Sequence, residues 1–258
     1  MIDCHAHISS SAFDDDRERV IQRAKQAGIK TIIVVSESIK DSHQVLKLSR
    51  DYSGFLRPCI GIHPDNFGDD RQAPSDKEMA TMISLIRDNN TALVGIGEVG
   101  LDYWVARGKD SRRKQQSFLT EMVALSNELS LPLSVHCRSA GHYTLTLLAQ
   151  SGAKKVCMHA FDGKAGYALE AYTSHGWLFS IPPSIVRSSQ KQRLVRTLPL
   201  EALALESDSP ALGPDRKLRN EPANLTLVVR SIADIKKETE DSVRQITTRN
   251  AQGLFELG

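Results

Sequence analysis

Short apolar runs rich in β-branched residues alternate with longer amphipathic segments along the whole chain of 258 residues. Apolar runs of about 4–8 residues indicate buried strands, and apolar residues that recur every three or four positions indicate helices. Strands are predicted at residues 1–7, 31–35, 55–60, 93–98, 133–136, 156–159, 177–180 and 202–206. Helices are predicted at residues 15–27, 42–50, 75–88, 111–129, 142–150, 165–175, 188–198, 224–237 and 241–255.

This alternation predicts an α/β fold with a parallel sheet, because each crossover helix returns the chain to the same end of the sheet. Eight such units over about 250 residues are typical of a (β/α)8 TIM barrel. A doubly wound open sheet is the alternative, but its Gly-x-Gly-x-x-Gly fingerprint does not follow the first strand. We therefore predict a (β/α)8 TIM barrel that forms a single domain over residues 1–258.

The charge and composition of the chain restrict its partners. The 33 Lys and Arg residues almost balance the 31 Asp and Glu residues, so the net charge is only +2. A nucleic acid must then be held by local basic patches, because long-range attraction is weak. No apolar run approaches the length of about 18 residues that a membrane span needs, and no signal peptide is evident at the start. We expect an intracellular protein, cytoplasmic or nuclear, that binds no membrane and is a monomer.

The chain opens with "MIDCHAHISS", which places His5 and His7 at the end of the first predicted strand. Side chains two residues apart on a strand share a face, and barrel enzymes build their active sites where the strands end. Further polar groups hold the same position on other strands, with one histidine just past strand three: Glu98, His136, His159, Asp208 and His63.

Neutral imidazoles and carboxylates are the usual ligands of divalent first-row metals. One such residue is more often structural than metal-binding, but six on one rim predict a metal centre. Six ligands exceed what one tetrahedral ion takes, so we expect two divalent ions (Mg, Mn or Zn) with a bridging carboxylate. Two metals can activate a water and stabilise both the attacking and the leaving oxygen. That chemistry serves phosphate esters, amides and lactones, so the residues alone leave the substrate open.

Six ordered motifs, "DCHAH", "GIHP", "GEVGLDY", "HCRSAG", "HAFDG" and "ESDSP", span the chain. Together they resemble the TatD family of metal-dependent deoxyribonucleases, within the amidohydrolase-like barrels. The stretches "FSIPPSI" and "RNEP" are most similar to its TatD-domain-containing protein 3 branch. The resemblance implies cleavage of DNA, by 3′–5′ exonucleolytic removal or at abasic sites. Ser207 stands where the family commonly has threonine, which keeps the hydroxyl group.

The resemblance also implies a role for each ligand. One metal would be held by His5, His7, Glu98 and Asp208, and the second by Glu98, His136 and His159. Glu98 would bridge the two ions, and Asp208 would also orient or deprotonate the attacking water. The alternative is a small-molecule amidohydrolase or lactonase on the same barrel. Many of those bridge their metals with a modified lysine at the end of strand four, so Glu98 at this position favours the TatD-type site.

Several residues near the predicted rim could serve the substrate. Arg138 lies two residues past His136, and we expect it and His63 to contact phosphate. Tyr103 and Trp104 could stack on exposed bases, or could equally pack their loop against the barrel. Glu206 could orient a ligand imidazole from behind, or pair with a lysine or arginine. Basic clusters in the rim loops favour a polyanion: Arg112, Arg113 and Lys114; Arg187, Lys191, Arg193 and Arg196; Arg216, Lys217 and Arg219. No nucleic-acid-binding module is evident, so we expect DNA to be bound through phosphates without sequence-specific recognition.

Overall fold

The computed structural model describes residues 1–257. Its strands are β1 (Ile2–Ala6), β2 (Thr31–Val35), β3 (Leu56–Ile60), β4 (Gly95–Gly100), β5 (Leu133–His136), β6 (Val156–Met158), β7 (Leu178–Ile181) and β8 (Leu203–Leu205). Its α-helices are α1 (Arg17–Gln26), α2 (Ile39–Asp51), α3 (Asp76–Asp88), α4 (Lys109–Leu129), α5 (Gly141–Gln150), α6 (Ala165–His175), α7 (Ser189–Thr197), α8 (Leu225–Lys236) and α9 (Glu240–Phe255). The predicted alternation is confirmed.

The eight strands form one parallel sheet in the order of the chain, from β1 to β8. The first and last strands meet where they end. The Asp208 N–H donates to the His5 carbonyl at 2.9 Å, and the His7 N–H donates to the Ser209 carbonyl at 2.8 Å. The sheet is therefore a nearly closed barrel, and the predicted (β/α)8 fold is confirmed.

The boundaries depart from the prediction where local hydrogen bonds decide them. The α2 helix begins at Ile39, three residues earlier than predicted, because the Ser38 side chain accepts from the Asp41 N–H and caps it. Strand β4 is shifted by two residues and runs to Gly100, which pairs with His136 of β5. Glycine is uncommon in strands, so the sequence pattern did not extend β4 to this residue.

The apolar core occupies the sides and the amino-terminal end of the barrel. The strands pack against the surrounding helices through large side chains such as Phe13, Phe118 and Phe179. At the end where the strands begin, Phe255 of α9 reaches the backbone of Gly95, the first residue of β4. This end is closed by apolar groups, so the polar residues of the barrel collect at the other end. No helix in residues 1–257 has the length and apolar character to cross a membrane.

Candidate active site

The Glu98 carboxylate lies at the centre of a cluster of histidines, where β4 ends, and is only 1% exposed. Its Oε2 atom is 3.1 Å from His5 Nε2 and 3.3 Å from His7 Nε2. Its Oε1 atom is 2.7 Å from His136 Nδ1 and 3.8 Å from His159 Nε2. The two oxygens therefore face two different sets of imidazoles.

Two glycines beside Glu98 allow β4 to approach β5 closely. A Cβ atom at Gly97 would lie 2.7 Å from the Ser134 carbonyl oxygen, and one at Gly100 would lie 2.1 Å from that of His136. The φ angle of Gly100 is 149°, which L residues rarely adopt. The "GEVG" spacing thus serves to bring Glu98 and His136 into contact.

Asp208 follows β8 and completes the side of the cluster that holds His5 and His7. Its Oδ1 atom is 3.6 Å from His7 Nε2 and 3.8 Å from both His5 Nε2 and His159 Nε2. The residue has a φ angle of 51°, in the left-handed region, which costs an L residue about 1–2 kcal/mol. Strain of this kind is common where a side chain must be aimed at a functional site.

Two histidines are held from behind by buried carboxylates. The Glu206 Oε2 atom is 2.8 Å from His159 Nδ1 and also accepts from the Ser180 hydroxyl at 2.5 Å. The Asp102 Oδ2 atom is 3.1 Å from His136 Nε2. Each carboxylate fixes the ring so that its other nitrogen faces Glu98, an arrangement that is usual around metal-binding histidines. Within residues 1–257, Glu206 makes no ion pair with a lysine or arginine.

The remaining ring nitrogens of this cluster have less support. The Nδ1 atom of His5 is 2.9 Å from the Ser134 hydroxyl. The Nδ1 atom of His7 is buried and has no hydrogen-bond partner in the described part of the chain. Glu37, whose Oε1 atom is 3.8 Å from this nitrogen, is the nearest carboxylate to it. His5 is thus fixed more firmly than His7.

His63 lies beside the same cluster, just past β3. Its Nε2 atom is 3.2 Å from Glu98 Oε1 and 3.3 Å from His136 Nδ1, while Nδ1 is 3.0 Å from an Asp65 carboxylate oxygen. Burial alone would lower the pKa of His63, but Glu98 and Asp65 raise it to about 10. The nearby carboxylates thus favour the protonated form of His63 in the metal-free protein, although its Nδ1 atom also lies 3.1 Å from the Asp65 N–H, which donates to it in the neutral form.

The two central carboxylates are held in their ionised forms. Burial would raise the pKa of Glu98, but His63, His5 and His159 outweigh it and hold that pKa well below its usual range. Burial likewise opposes ionisation of Asp208, and the same kind of histidine contacts lower its pKa. Burial would lower the pKa of His159, but Glu206, Asp208 and Glu98 raise it to about 9. The cluster therefore presents anionic oxygens at neutral pH.

The donor set fits divalent metal ions. Three groups have ligand atoms within 4.8 Å of one another: His5, His7 and Asp208; His63, Glu98 and His136; and His5, His159 and Glu206. All donors are imidazole nitrogens or carboxylate oxygens, which suit Zn²⁺ and Mn²⁺ and, for the carboxylates, Mg²⁺. All six predicted metal ligands lie in this one cluster, and His63 joins them there.

The cluster forms the floor of an open cavity of about 630 Å³. On the β1–β4 side its wall carries the acidic residues Glu37, Asp41 and Asp65. On the β5–β7 side it carries Arg138, Lys191 and the carboxylate of Asp162, and past β8 it is formed by Pro210, Ala211 and Leu212. One side of the wall is therefore acidic, and the lysine and arginine of the cavity lie on the other side.

The structure exposes some of the predicted substrate residues and buries another. Trp104 is 55% exposed, and the Arg138 guanidinium lies 5.0 Å from its ring centre, so both stand at the mouth of the cavity. Of the two roles expected for Tyr103, the structure supports packing of the loop and not stacking on bases. Tyr103 is only 7% exposed, because Arg112 covers its ring at 4.3 Å and Gln116 donates to its hydroxyl. It packs the loop against the barrel instead.

The basic clusters also differ from the expectation. Of their ten residues, Lys191 is the one that lines the cavity in the described part of the chain. Arg187 donates to the Gly213 carbonyl, and Arg219 pairs with Asp16. Arg112 is the residue that covers Tyr103. Arg112, Arg187 and Arg219 thus fasten loops to the barrel.

The sequence analysis missed two buried carboxylates of the site. Asp102 in "GEVGLDY" lies beyond β4, and its role depends on a loop conformation that strand patterning does not report. Asp3 is fully buried and accepts from the Ser207 N–H at 2.8 Å, which joins β1 to β8. Burial raises the pKa of Asp3 to about 7. Asp3 lies two residues before His5 on the same strand, and this spacing could have indicated that the two side chains share a face.

Comparison with known proteins identifies the family. A family model described as TatD related DNase matches residues 2–256. The human protein deoxyribonuclease TATDN3 is 40% identical over 259 residues, which cover 99% of this chain and 94% of the human protein. The 3′-5′ ssDNA/RNA exonuclease TatD of Pectobacterium parmentieri is 30% identical, with 100% of both chains covered. The crystal structure of YjjV, a TatD homolog from Escherichia coli K12, superposes with a TM-score of 0.90 at 26% identity, covering 100% of this chain and 98% of that one. The chain thus belongs to the TatD family of metal-dependent deoxyribonucleases.

Proposed function

We propose that this protein, a metal-dependent hydrolase of the TatD family, uses two divalent ions to remove nucleotides from the 3′ end of single-stranded DNA. The observation that carries the proposal is the position of Glu98. Its two carboxylate oxygens face different sets of imidazoles, with His5 and His7 at Oε2 and His136 and His159 at Oε1. A single carboxylate shared in this way suits a bridging ligand.

His5, His7, Glu98 and Asp208 would hold one ion, and Glu98, His136 and His159 would hold the other. A bound pair of divalent ions lowers the pKa of water and stabilises charge on phosphate oxygens during hydrolysis. Glu206 and Asp102 keep the rings of His159 and His136 in place from behind.

Asp208 would accept the proton of the attacking water. Its Oδ1 atom lies between three imidazole nitrogens at 3.6–3.8 Å and borders the cavity. The pKa of Asp208 is lowered, so the carboxylate is ready as a proton acceptor at neutral pH.

His63 and Arg138 would bind the phosphate, and Trp104 would stack on a base near the mouth of the cavity. The cavity volume of about 630 Å³ lies within the range of ~300–1,000 Å³ that small-ligand pockets have. A pocket of this size accommodates the end of one strand better than the middle of a duplex, which supports exonucleolytic action. The Pectobacterium relative is named for 3′-5′ activity on single-stranded DNA and RNA.

The test uses oligonucleotides labelled at either end, with the protein loaded separately with Mg²⁺, Mn²⁺ or Zn²⁺. A ladder that shortens from the 3′ end of single-stranded DNA is the expected result, and Asp208→Asn serves as the inactive control. Duplex DNA with one abasic site, RNA and a panel of lactones and amides are assayed in parallel. Turnover of a lactone or amide with no cleavage of any nucleic acid would overturn the proposal in favour of a small-molecule hydrolase.

A further inference from the structure

Lys191 of α7 has its ammonium group buried at the edge of the cavity. The residue is 7% exposed, although it stands on a helix whose other cations, Arg193 and Arg196, are exposed. Its Nζ atom donates to the Ala160 carbonyl and, at 2.8 Å, to the Phe161 carbonyl. These two residues directly follow His159, so the ammonium lies beside the proposed metal ligands and lines the same cavity.

This ammonium has no carboxylate oxygen within 4.0 Å among residues 1–257. Burial lowers the pKa of Lys191, although Glu206, Asp162 and Asp208 act from a greater distance to raise it. A buried charge without a close counter-ion is unfavourable unless some other group compensates it. An ammonium has three N–H donors, and two carbonyls use two of them. One N–H donor of the ammonium therefore remains for a further partner.

The distribution of charge in the cavity indicates the nature of that partner. Lys191 and Arg138 are the lysine and arginine that line the cavity in the described part of the chain, and both stand on the β5–β7 side. Asp162 also lines that side, but its carboxylate already accepts from the Ser139 N–H, whereas the opposite wall carries Glu37, Asp41 and Asp65, which repel an anion. An anionic group that enters the cavity is thus drawn to the side where Lys191 lies, next to His159.

We propose that Lys191 binds the phosphate that is being cleaved, by donating its free N–H to a non-bridging phosphate oxygen. This inference rests on the proposed function, since DNA supplies the phosphate. The Ala160 and Phe161 carbonyls hold the ammonium in place before the substrate arrives, so little side-chain entropy is lost on binding. Arg138, which is exposed and stacked on Trp104, contacts the strand nearer the mouth of the cavity.

The test compares Lys191→Met with Arg196→Met, which removes an exposed cation from the same helix. Binding of inorganic phosphate to the metal-loaded proteins is measured by calorimetry, and kcat and KM are measured on single-stranded DNA. A charge-assisted hydrogen bond is worth about a 10- to 100-fold change in affinity. We expect Lys191→Met to weaken phosphate binding and to lower kcat/KM by that factor, with an unchanged content of metal. Arg196→Met should stay within about twofold of the parent protein.

A purely structural role for Lys191 predicts a different result. If the side chain only fastens the loop after His159, Lys191→Met will lose metal or thermal stability, and the correctly loaded fraction will bind phosphate with the parent's affinity. That outcome would overturn the proposal. If Lys191→Met does not fold, Lys191→Gln keeps a donor for the carbonyls without the charge, and its phosphate affinity decides in the same way. Calorimetry needs no DNA cleavage, so a failure of the nuclease assay with the parent protein is distinguished from a failure of this inference.

Discussion

Replacing Glu98 with alanine removes the carboxylate whose two oxygens face the two sets of imidazoles. The carboxylate has nitrogens of His5, His7, His136 and His63 within 3.3 Å and is 1% exposed. Loss of one preorganised electrostatic group commonly slows catalysis by about 10²–10³, or about 3–4 kcal/mol. Because Glu98 would serve two ions, we expect Glu98→Ala to lower kcat by about 10³ or more and to reduce the bound metal below two ions per chain.

The stability of the metal-free protein should also fall. His63 and His159 have raised pKa values, of about 10 and about 9, partly because Glu98 is anionic. Without that carboxylate, these buried imidazoles lose one of their counter-ions, although Glu206 still faces His159 and Asp65 still faces His63. Removing one partner of a buried ion pair costs about 3–5 kcal/mol. Glu98→Gln keeps the size of the side chain and loses the charge, so it separates this electrostatic loss from the loss of packing.

The assay measures metal content, circular dichroism, thermal unfolding and DNA cleavage on the same preparations. Glu128→Ala is a matched control, because Glu128 is an exposed glutamate whose partner is Arg87 on the surface. A folded Glu98→Ala protein that retains two metals and cleaves DNA at a near-normal rate would refute the bridging role and the two-metal mechanism with it.

Three further predictions follow from the charges of the site. His63→Asn should raise KM for single-stranded DNA about 10- to 100-fold, because His63 is assigned to the phosphate, and the metal content should not change. If the variant loses one metal ion per chain, His63 is a metal ligand instead. Metal addition at pH 7.5 should release protons, as calorimetry in buffers of different ionisation enthalpy will report, because His159 is protonated below about pH 9. In the metal-free protein, protonated His159 stabilises the fold fully below about pH 6.5, and this stabilisation is lost as the pH rises through about 9. Metal affinity should therefore increase over that pH range, because fewer protons must be displaced. An affinity independent of pH there would contradict this assignment. The dependence of DNA affinity on salt should have a log–log slope of about −1.4, because one lysine and one arginine line the cavity and each such phosphate contact on a single strand contributes about −0.7. A slope steeper than about −5 would contradict this expectation.

The fold and the metal-capable cluster could be predicted because both depend on short-range patterns. Alternating runs located all eight strands, and the ends of parallel strands necessarily share one rim, which brought His5, Glu98 and Asp208 together. The position of Glu206 behind His159 could also be predicted, because Glu206 lies two residues before Asp208 and residues two apart on a strand share a face.

The substrate side was less predictable because it depends on loop conformation. Tyr103 and Trp104 are adjacent in the chain, yet one is buried under Arg112 and the other is exposed. Nothing in the local pattern distinguishes them. Likewise, Lys191 and Arg196 belong to the same basic cluster, but in the structure Lys191 lines the cavity and Arg196 is exposed on the other side of α7.

The junction of β1 with β8 has a consequence for the synthesis of the protein. His5 and His7 are synthesised about 200 residues before Asp208 and the backbone groups that bond to them. A nascent chain that ends before Asp208 lacks both closing hydrogen bonds and the proposed proton acceptor. The nuclease centre can therefore assemble only after the last strand has been made, so an unfinished chain carries no complete catalytic site to damage nucleic acid near the place of its synthesis.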